Sequence, residues 1–249
     1  DQASPEALAQ ACVQLGCRSI AYTYNDPVIF FEYAIDVAQA CAEKGVKSVA
    51  VTAGYICPEP RREFFQHMDA ANVDLKGFTD DFYYRVCGAH LNDVLDTLLY
   101  LKHETDVWFE ITTLIIPGEN DSDQELDRMT RWVVDNLGND VPCHFTAFHP
   151  DWKMLDKSAT PAATLTRARS IAMKNGVHHA YTGNVHDGDG GSTYCAACTG
   201  LLIQRDWYQM GSWHLDEKGC CGHCGEPVAG VFEALPGDWG AKRQPVRFK

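Results

Sequence analysis

Basic side chains are scarce. The 249 residues hold 21 Lys and Arg against 34 Asp and Glu, a formal net charge of −13. Nucleic-acid binding rests on a basic face that neutralises phosphates, so this balance argues against that class of partner. No apolar run approaches the roughly 18–20 residues of a membrane span, and no signal-peptide pattern stands at the start, which argues against a membrane role. Repeats with a period of about 20–50 residues and low-complexity tracts are missing too, so solenoids and arrays are excluded. An initiator Met is also lacking. The chain opens at Asp1 and enters a helix at Ser4-Pro5, an N-cap followed by proline at the first helical position.

What remains is an ordinary globular composition, 45% hydrophobic and 22% charged. A chain of this length buries roughly 70–75% of its unfolded surface, so its core needs no staples. Eleven cysteines divide it. Cys12, Cys17, Cys41, Cys57, Cys87 and Cys143 are scattered, whereas Cys195, Cys198, Cys220, Cys221 and Cys224 are gathered near the C-terminus. An odd count, wide scatter and no secretory signal predict reduced thiols in a cytoplasmic setting.

Helix and strand patterns alternate up to about residue 183. Helical stretches start near Pro5, Val28, Glu59, Asp80, Asn92, Ser122 and Pro161. Between them lie β-rich runs at Ser19–Tyr22, Ser48–Thr52, Ala71–Leu75, Val107–Ile115, Cys143–Phe148 and His178–Tyr181. Ser122-Asp-Gln-Glu125 reads as a capping box, and Thr160-Pro161 as an N-cap followed by Pro. Strands separated by helices predict βαβ units and a parallel sheet with right-handed crossovers. Asp187–Gly191 reads as a linker, and the stretch after Phe232 as a loose tail. The expected division is a barrel over 1–190, a cysteine module over 191–232 and a tail over 233–249.

Ligands of such folds bind at the carboxyl ends of the strands. Tyr24-Asn25-Asp26-Pro27 there either presents an amide, a carboxylate and carbonyls to a ligand ammonium, or places Asp26 as the N-cap of the helix that Pro27 opens. Asp74 and Lys76 share a face of their strand, as an ion pair or as a polar clamp for a ribose or carboxylate. His149, closing another strand, is a structural histidine or faces a ligand.

The sharpest signal is Cys195-Ala-Ala-Cys198 with Cys221-Gly-His-Cys224, two CxxC knuckles separated by 22 residues (199–220). Four thiolates are the soft set that tetrahedral Zn²⁺ prefers, and each two-residue gap lets a knuckle span one edge of the tetrahedron. Leu201–Arg205 and Gln209–His214 fit a hairpin between them, and Gly225 frees the second knuckle to turn. The expectation is a zinc ribbon of structural role, with a rubredoxin-like iron site of the same geometry as the alternative metal. Cys220 and His223 are spare donors.

Taken together, Tyr22–Pro27, Ala71–Lys76, Tyr83–Gly88, Thr112–Gly118, Phe148–Asp151 and the paired CxxC resemble the radical S-adenosylmethionine (SAM) enzyme of the AmmeMemoRadiSam system, a relative of the pyruvate formate-lyase activating enzymes. The resemblance implies a [4Fe–4S] cluster held by a CxxxCxxC loop, reductive cleavage of SAM to a 5′-deoxyadenosyl radical, and hydrogen abstraction from a substrate, a protein among the candidates. It implies that Tyr24, Asn25 and Asp26 hold the SAM ammonium, that Thr52, Asp74 and Lys76 contact SAM, and that His149 lies near the adenine. Memo-like proteins are the partners it suggests. Two residues depart from the pattern: Asp26 replaces a more usual Glu, and Ala53 a more usual Asn. No CxxxCxxC occurs in the 249 residues. The expectation is therefore an α/β chain that holds strands two to six of a partial (β/α)6 TIM-like barrel plus the ribbon. It would lack the first strand and cluster loop and be inactive as a fragment.

Two other classes fit less of the sequence. An aldolase or phosphate-binding barrel calls for a Schiff-base lysine or a Gly-rich loop, and Lys76 is the one strand lysine in reach. A partner-binding scaffold would present Trp207, Tyr208 and Trp213 of the ribbon hairpin.

Overall fold

The computed structural model describes residues 3–237 and 240–246. The elements in chain order are α1 (Pro5–Gln14), β1 (Ser19–Tyr22), α2 (Phe31–Ala42), β2 (Lys47–Thr52), α3 (Pro58–Phe65), β3 (Ala70–Asp74), α4 (Asp80–Phe82), α5 (Leu91–Glu104), β4 (Trp108–Ile115), α6 (Asp123–Leu137), β5 (Cys143–Ala147), α7 (Ala162–Lys174), β6 (Ala180–Gly183), α8 (Gly188–Gly191), β7 (Thr193–Tyr194), β8 (Leu201–Asp206) and β9 (Gln209–Trp213). Strands β1 to β6 form one parallel sheet in sequence order, and β7 to β9 an antiparallel one. The α/β class and the partial barrel are as the sequence predicts. The parallel sheet has six strands, where the numbering two to six provides for five. The last run pairs with β5 in the register Cys143↔Ala180.

The chain divides into two compact units, residues 1–75, 83–111 and 244–249, and residues 76–82 and 112–243. In the first unit α2 buries Ala34, Val37, Ala38 and Cys41, an i, i+3, i+4, i+7 stripe. Strand β3 buries Ala71 and Val73 and leaves Asn72 and Asp74 half-buried on its other face. Ser4 caps α1 by accepting from the Ala7 N–H at 3.2 Å, with Pro5 at the first helical position. Asp26 caps a 3₁₀ turn over Pro27–Phe30 that precedes α2.

The second unit corrects three local expectations. Ser122 does cap α6, accepting from the Glu125 N–H at 3.3 Å. The other half of the box is not made: Glu125, 6% exposed, turns its Oε1 to the Phe78 N–H at 2.6 Å. Helix α7 starts after Pro161 rather than at a Thr160 cap. The Thr160 hydroxyl is already committed, accepting from the Phe148 N–H at 3.0 Å and donating to the Ile115 carbonyl. The linker at Asp187–Gly191 is one turn of helix, α8, because Asp187 accepts from the Gly190 N–H at 2.9 Å. The tail reading of 233–249 falls in part on 238, 239 and 247–249, outside the described residues, as do Asp1 and Gln2.

Burial pushes the Glu125 carboxyl above its ordinary range, against the pull of the Phe78 N–H and Arg128. A carboxyl raised in the folded state contributes stability below the unfolded range and loses it as pH rises through the folded value. Glu125→Gln keeps an acceptor for Phe78 and cannot ionise. Its melting temperature relative to wild type should therefore climb from about pH 4 to about pH 7. Glu125→Ala leaves the Phe78 N–H unpaired and should cost about 1–3 kcal/mol in urea titration. A flat difference across that pH range would show that desolvation does not govern this group.

Candidate functional site

In the first unit the carboxyl ends of β1 and β2 are joined by Asp26. Its Oδ1 accepts from the Val28 N–H at 3.1 Å and from the Thr52 hydroxyl at 3.0 Å. Its Oδ2 accepts from the Ala53 N–H at 2.7 Å. Thr52 is buried, and its oxygen in turn accepts from the Gly54 N–H at 3.1 Å. Gly54 is required here: φ is +69°, and a Cβ would stand 2.8 Å from Val73 Cγ1. With Asp26 held in this way, the preceding Tyr24 sits at φ +70° with its side chain fully exposed, and Asn25 follows it into the turn. Asp74 closes β3, half-buried on the same strand face as Asn72.

In the second unit the backbone at Lys76 is fixed by a residue that sequence patterning does not single out. Asn120, buried, donates through Nδ2 to the carbonyls of Lys76 at 2.6 Å and Leu114 at 2.9 Å, and accepts from the Ile116 N–H at 2.7 Å. One amide therefore satisfies three backbone groups. In the sequence Asn120 is merely part of a Pro-Gly turn, and no periodicity marks it. His149 lies two residues beyond β5, exposed, with its Nδ1 3.1 Å from Asp151 Oδ2. A pair this exposed adds little stability, but it directs Nδ1 to the carboxylate and leaves Nε2 as the other ring nitrogen.

The four expected metal ligands converge. One sulfur from each of Cys195, Cys198, Cys221 and Cys224 lies within 4.8 Å of the others. The Cys195–Cys224 and Cys198–Cys221 separations are both 3.7 Å. A tetrahedron with metal–sulfur bonds of about 2.3 Å has edges of about 3.8 Å, so the set is already shaped for such an ion. In the first knuckle the Thr199 N–H donates to the Cys195 carbonyl at 2.9 Å, and Thr199 takes the left-handed position at φ +59°. In the second, the left-handed Gly225 donates to the Cys221 carbonyl at 2.8 Å, and the His223 N–H reaches Cys221 Sγ at 3.4 Å. The spare donors stand outside the group: His223 Nε2 is 3.0 Å from the Leu201 carbonyl, and the Cys220 N–H donates to Asp216 at 2.8 Å. Gly200 makes the close approach possible, since a Cβ there would meet the His223 ring at 2.7 Å. Burial resists ionisation of Cys221, but N–H groups of His223 and Cys224 and the neighbouring thiols outweigh it and bring that thiol down to about 6, while against the Glu226 N–H the same neighbouring thiols and burial push Cys224 up to about 12. Beneath the sulfurs lies a small core of Leu202, Ile203 and Leu215, with Trp213, Val228 and Phe232 packed on it.

Residues 1–130 match the radical SAM superfamily domain. An uncharacterized protein of Methanocaldococcus jannaschii is 38% identical over 226 residues, which are 90% of this chain and 67% of that one. A domain of pyruvate-formate lyase-activating enzyme from Bacteroides vulgatus superposes with a TM-score of 0.58 at 16% identity, over 66% of this chain and 98% of that domain. A radical SAM methyltransferase from Sphaerobacter thermophilus also gives 0.58, at 17% identity, over 78% of this chain and 58% of its own length. At these identities the two solved structures establish likeness of fold.

Two outcomes test the arrangement. Asp26→Ala leaves the Val28 and Ala53 N–H groups without their acceptor and should lower stability by about 1–3 kcal/mol in urea titration; a loss below about 0.5 kcal/mol would mean the carboxylate ties nothing together. Elemental analysis should find one metal ion, zinc or iron, per purified chain, and Cys195→Ser should remove it and melt the hairpin around Trp213. Full metal content in that variant would put the metal elsewhere.

Proposed function

The chain belongs to the radical SAM superfamily, and from that membership we propose that it is the SAM-binding barrel of a hydrogen-abstracting enzyme of the AmmeMemoRadiSam type. Membership implies SAM and an iron–sulfur cluster. When bound together, these groups supply a 5′-deoxyadenosyl radical that takes hydrogen from a substrate. The 249 residues include no CxxxCxxC, so the cluster finds no ligand triplet in this chain. The role proposed for the chain by itself is binding and orientation.

The observation that carries the proposal is the place of the polar residues. The superfamily match spans the stretch in which Tyr24-Asn25-Asp26 follow β1, Thr52 closes β2, Asp74 closes β3 and Lys76 lies two residues beyond. Carboxyl ends of parallel strands are where α/β folds bind ligands. Asp26 has both oxygens engaged, so its part is to hold Tyr24 and Asn25 in position to receive the SAM ammonium. Asp74 and Lys76 would contact the ribose and carboxylate, and His149 the adenine through its other ring edge. The four-cysteine centre would hold zinc as a structural ion, since four protein sulfurs leave no open coordination position. The wider reading keeps a barrel over 1–190, a ribbon over 191–232 and a tail beyond, a cytoplasmic setting, a substrate that a protein can supply, and Memo-like partners.

The test uses the product of the full open reading frame, loaded anaerobically with iron and sulfide and reduced with dithionite. It should release 5′-deoxyadenosine from SAM, and Asp74→Ala should cut that release by about tenfold or more. No 5′-deoxyadenosine from the loaded protein would overturn the reading, and undiminished release by the variant would remove Asp74 from the site.

A further inference from the structure

The second unit contains a cleft that the strand-end residues do not line. It measures about 490 Å³ and lies between α7, the turn that follows it, α8 and the first cysteine knuckle, with Arg169, Met173, Val177, Asp189, Tyr194 and Ala196 among its walls. This volume is in the range of small-molecule sites, about 300–1,000 Å³.

Its polar groups are of two signs. Arg169 is half-buried, and its Nε donates to the Ala180 carbonyl at 2.9 Å, which fixes the plane of the guanidinium. Among the described residues its terminal nitrogens have no hydrogen-bond or ion-pair partner, so the fork that suits a carboxylate is held in place and left open. Asp189, exposed on α8, lines the same cleft as Tyr194. A guanidinium, a carboxylate and a phenol thus line one cleft. Met173, Val177 and Ala196 add an apolar wall, with Met173 partly exposed although it is large and hydrophobic.

We infer that this cleft binds a small zwitterion with an apolar tail, the chemistry of a free α-amino acid. The ligand carboxylate pairs with Arg169, its ammonium with Asp189, and its side chain lies along Met173 and Val177. A plain anion meets Asp189 as a like charge, and a plain cation meets Arg169, so only a ligand with both charges satisfies the two walls at once. The site is separate from the proposed SAM-binding residues, so it stands or falls independently of them.

Titration calorimetry on the zinc-loaded full chain tests the inference with L-leucine, L-methionine and L-phenylalanine, which share a head and differ in the tail. At least one should bind saturably. Its amide, which lacks the carboxylate, and its N-acetyl form, which lacks the ammonium, should each bind about tenfold more weakly or worse. Arg169→Gln and Asp189→Asn should weaken binding by a similar factor, with zinc content unchanged to show that the fold survives. Asp189→Asn keeps the test valid if loss of the Arg169 bond to Ala180 unsettles α7. No saturable binding of any of the three amino acids would overturn the inference. So would an amide that binds as well as its parent acid, or inorganic phosphate that competes as well as the amino acid.

Discussion

A parallel strand that stops exposes backbone N–H and C=O groups whose ladder partners have run out, and a buried group left so costs about 1–3 kcal/mol. In this chain side chains take over at those points. Asp26 collects the Val28 and Ala53 N–H groups beyond β1 and β2. Asn120 collects the Ile116 N–H just beyond β4, the Leu114 carbonyl near its end and the Lys76 carbonyl beyond β3. Thr160 serves the Phe148 N–H and the Ile115 carbonyl. The residues proposed to bind SAM sit at the same strand ends. Asp26 fixes the turn that carries Tyr24 and Asn25, and Asn120 the backbone at Lys76, because a loop free to choose other partners would not present them reproducibly.

This division of labour explains what is legible in the sequence. Where burial imposes a period, the pattern can be read. The helical stretch from Val28 contains α2 with its buried Ala34, Val37, Ala38 and Cys41, the β-rich run Ala71–Leu75 falls on β3, and the spacing of Cys195, Cys198, Cys221 and Cys224 locates the thiol centre. Asn120 and Thr160 escape because a residue that ties two loops together has no period along the chain; its partners are 44 and 45 positions away. Glu125 departs from its expected role for a related reason. Its spacing from Ser122 suits a capping box, but the Phe78 N–H, 47 positions back, is the partner that burial makes more demanding. Local grammar ranks local partners, whereas burial decides between them.

Asp26 shows that two alternatives drawn from one motif need not exclude each other. It is the cap that Pro27 calls for, and the same carboxylate reaches across 26 positions to Thr52. A motif that stabilises a turn and a motif that prepares a ligand site can be one set of atoms, since a ligand site works only if its loop is already fixed.

The contact between Gly200 and His223 has a consequence for how the ribbon tolerates change. With only 2.7 Å available to a Cβ at position 200, even a methyl group there displaces the imidazole and the knuckle that carries it. The two positions behave as a steric couple: enlarging residue 200 requires the imidazole at 223 to turn away or a smaller side chain to stand in its place. Variation at one position is therefore conditioned by the residue at the other.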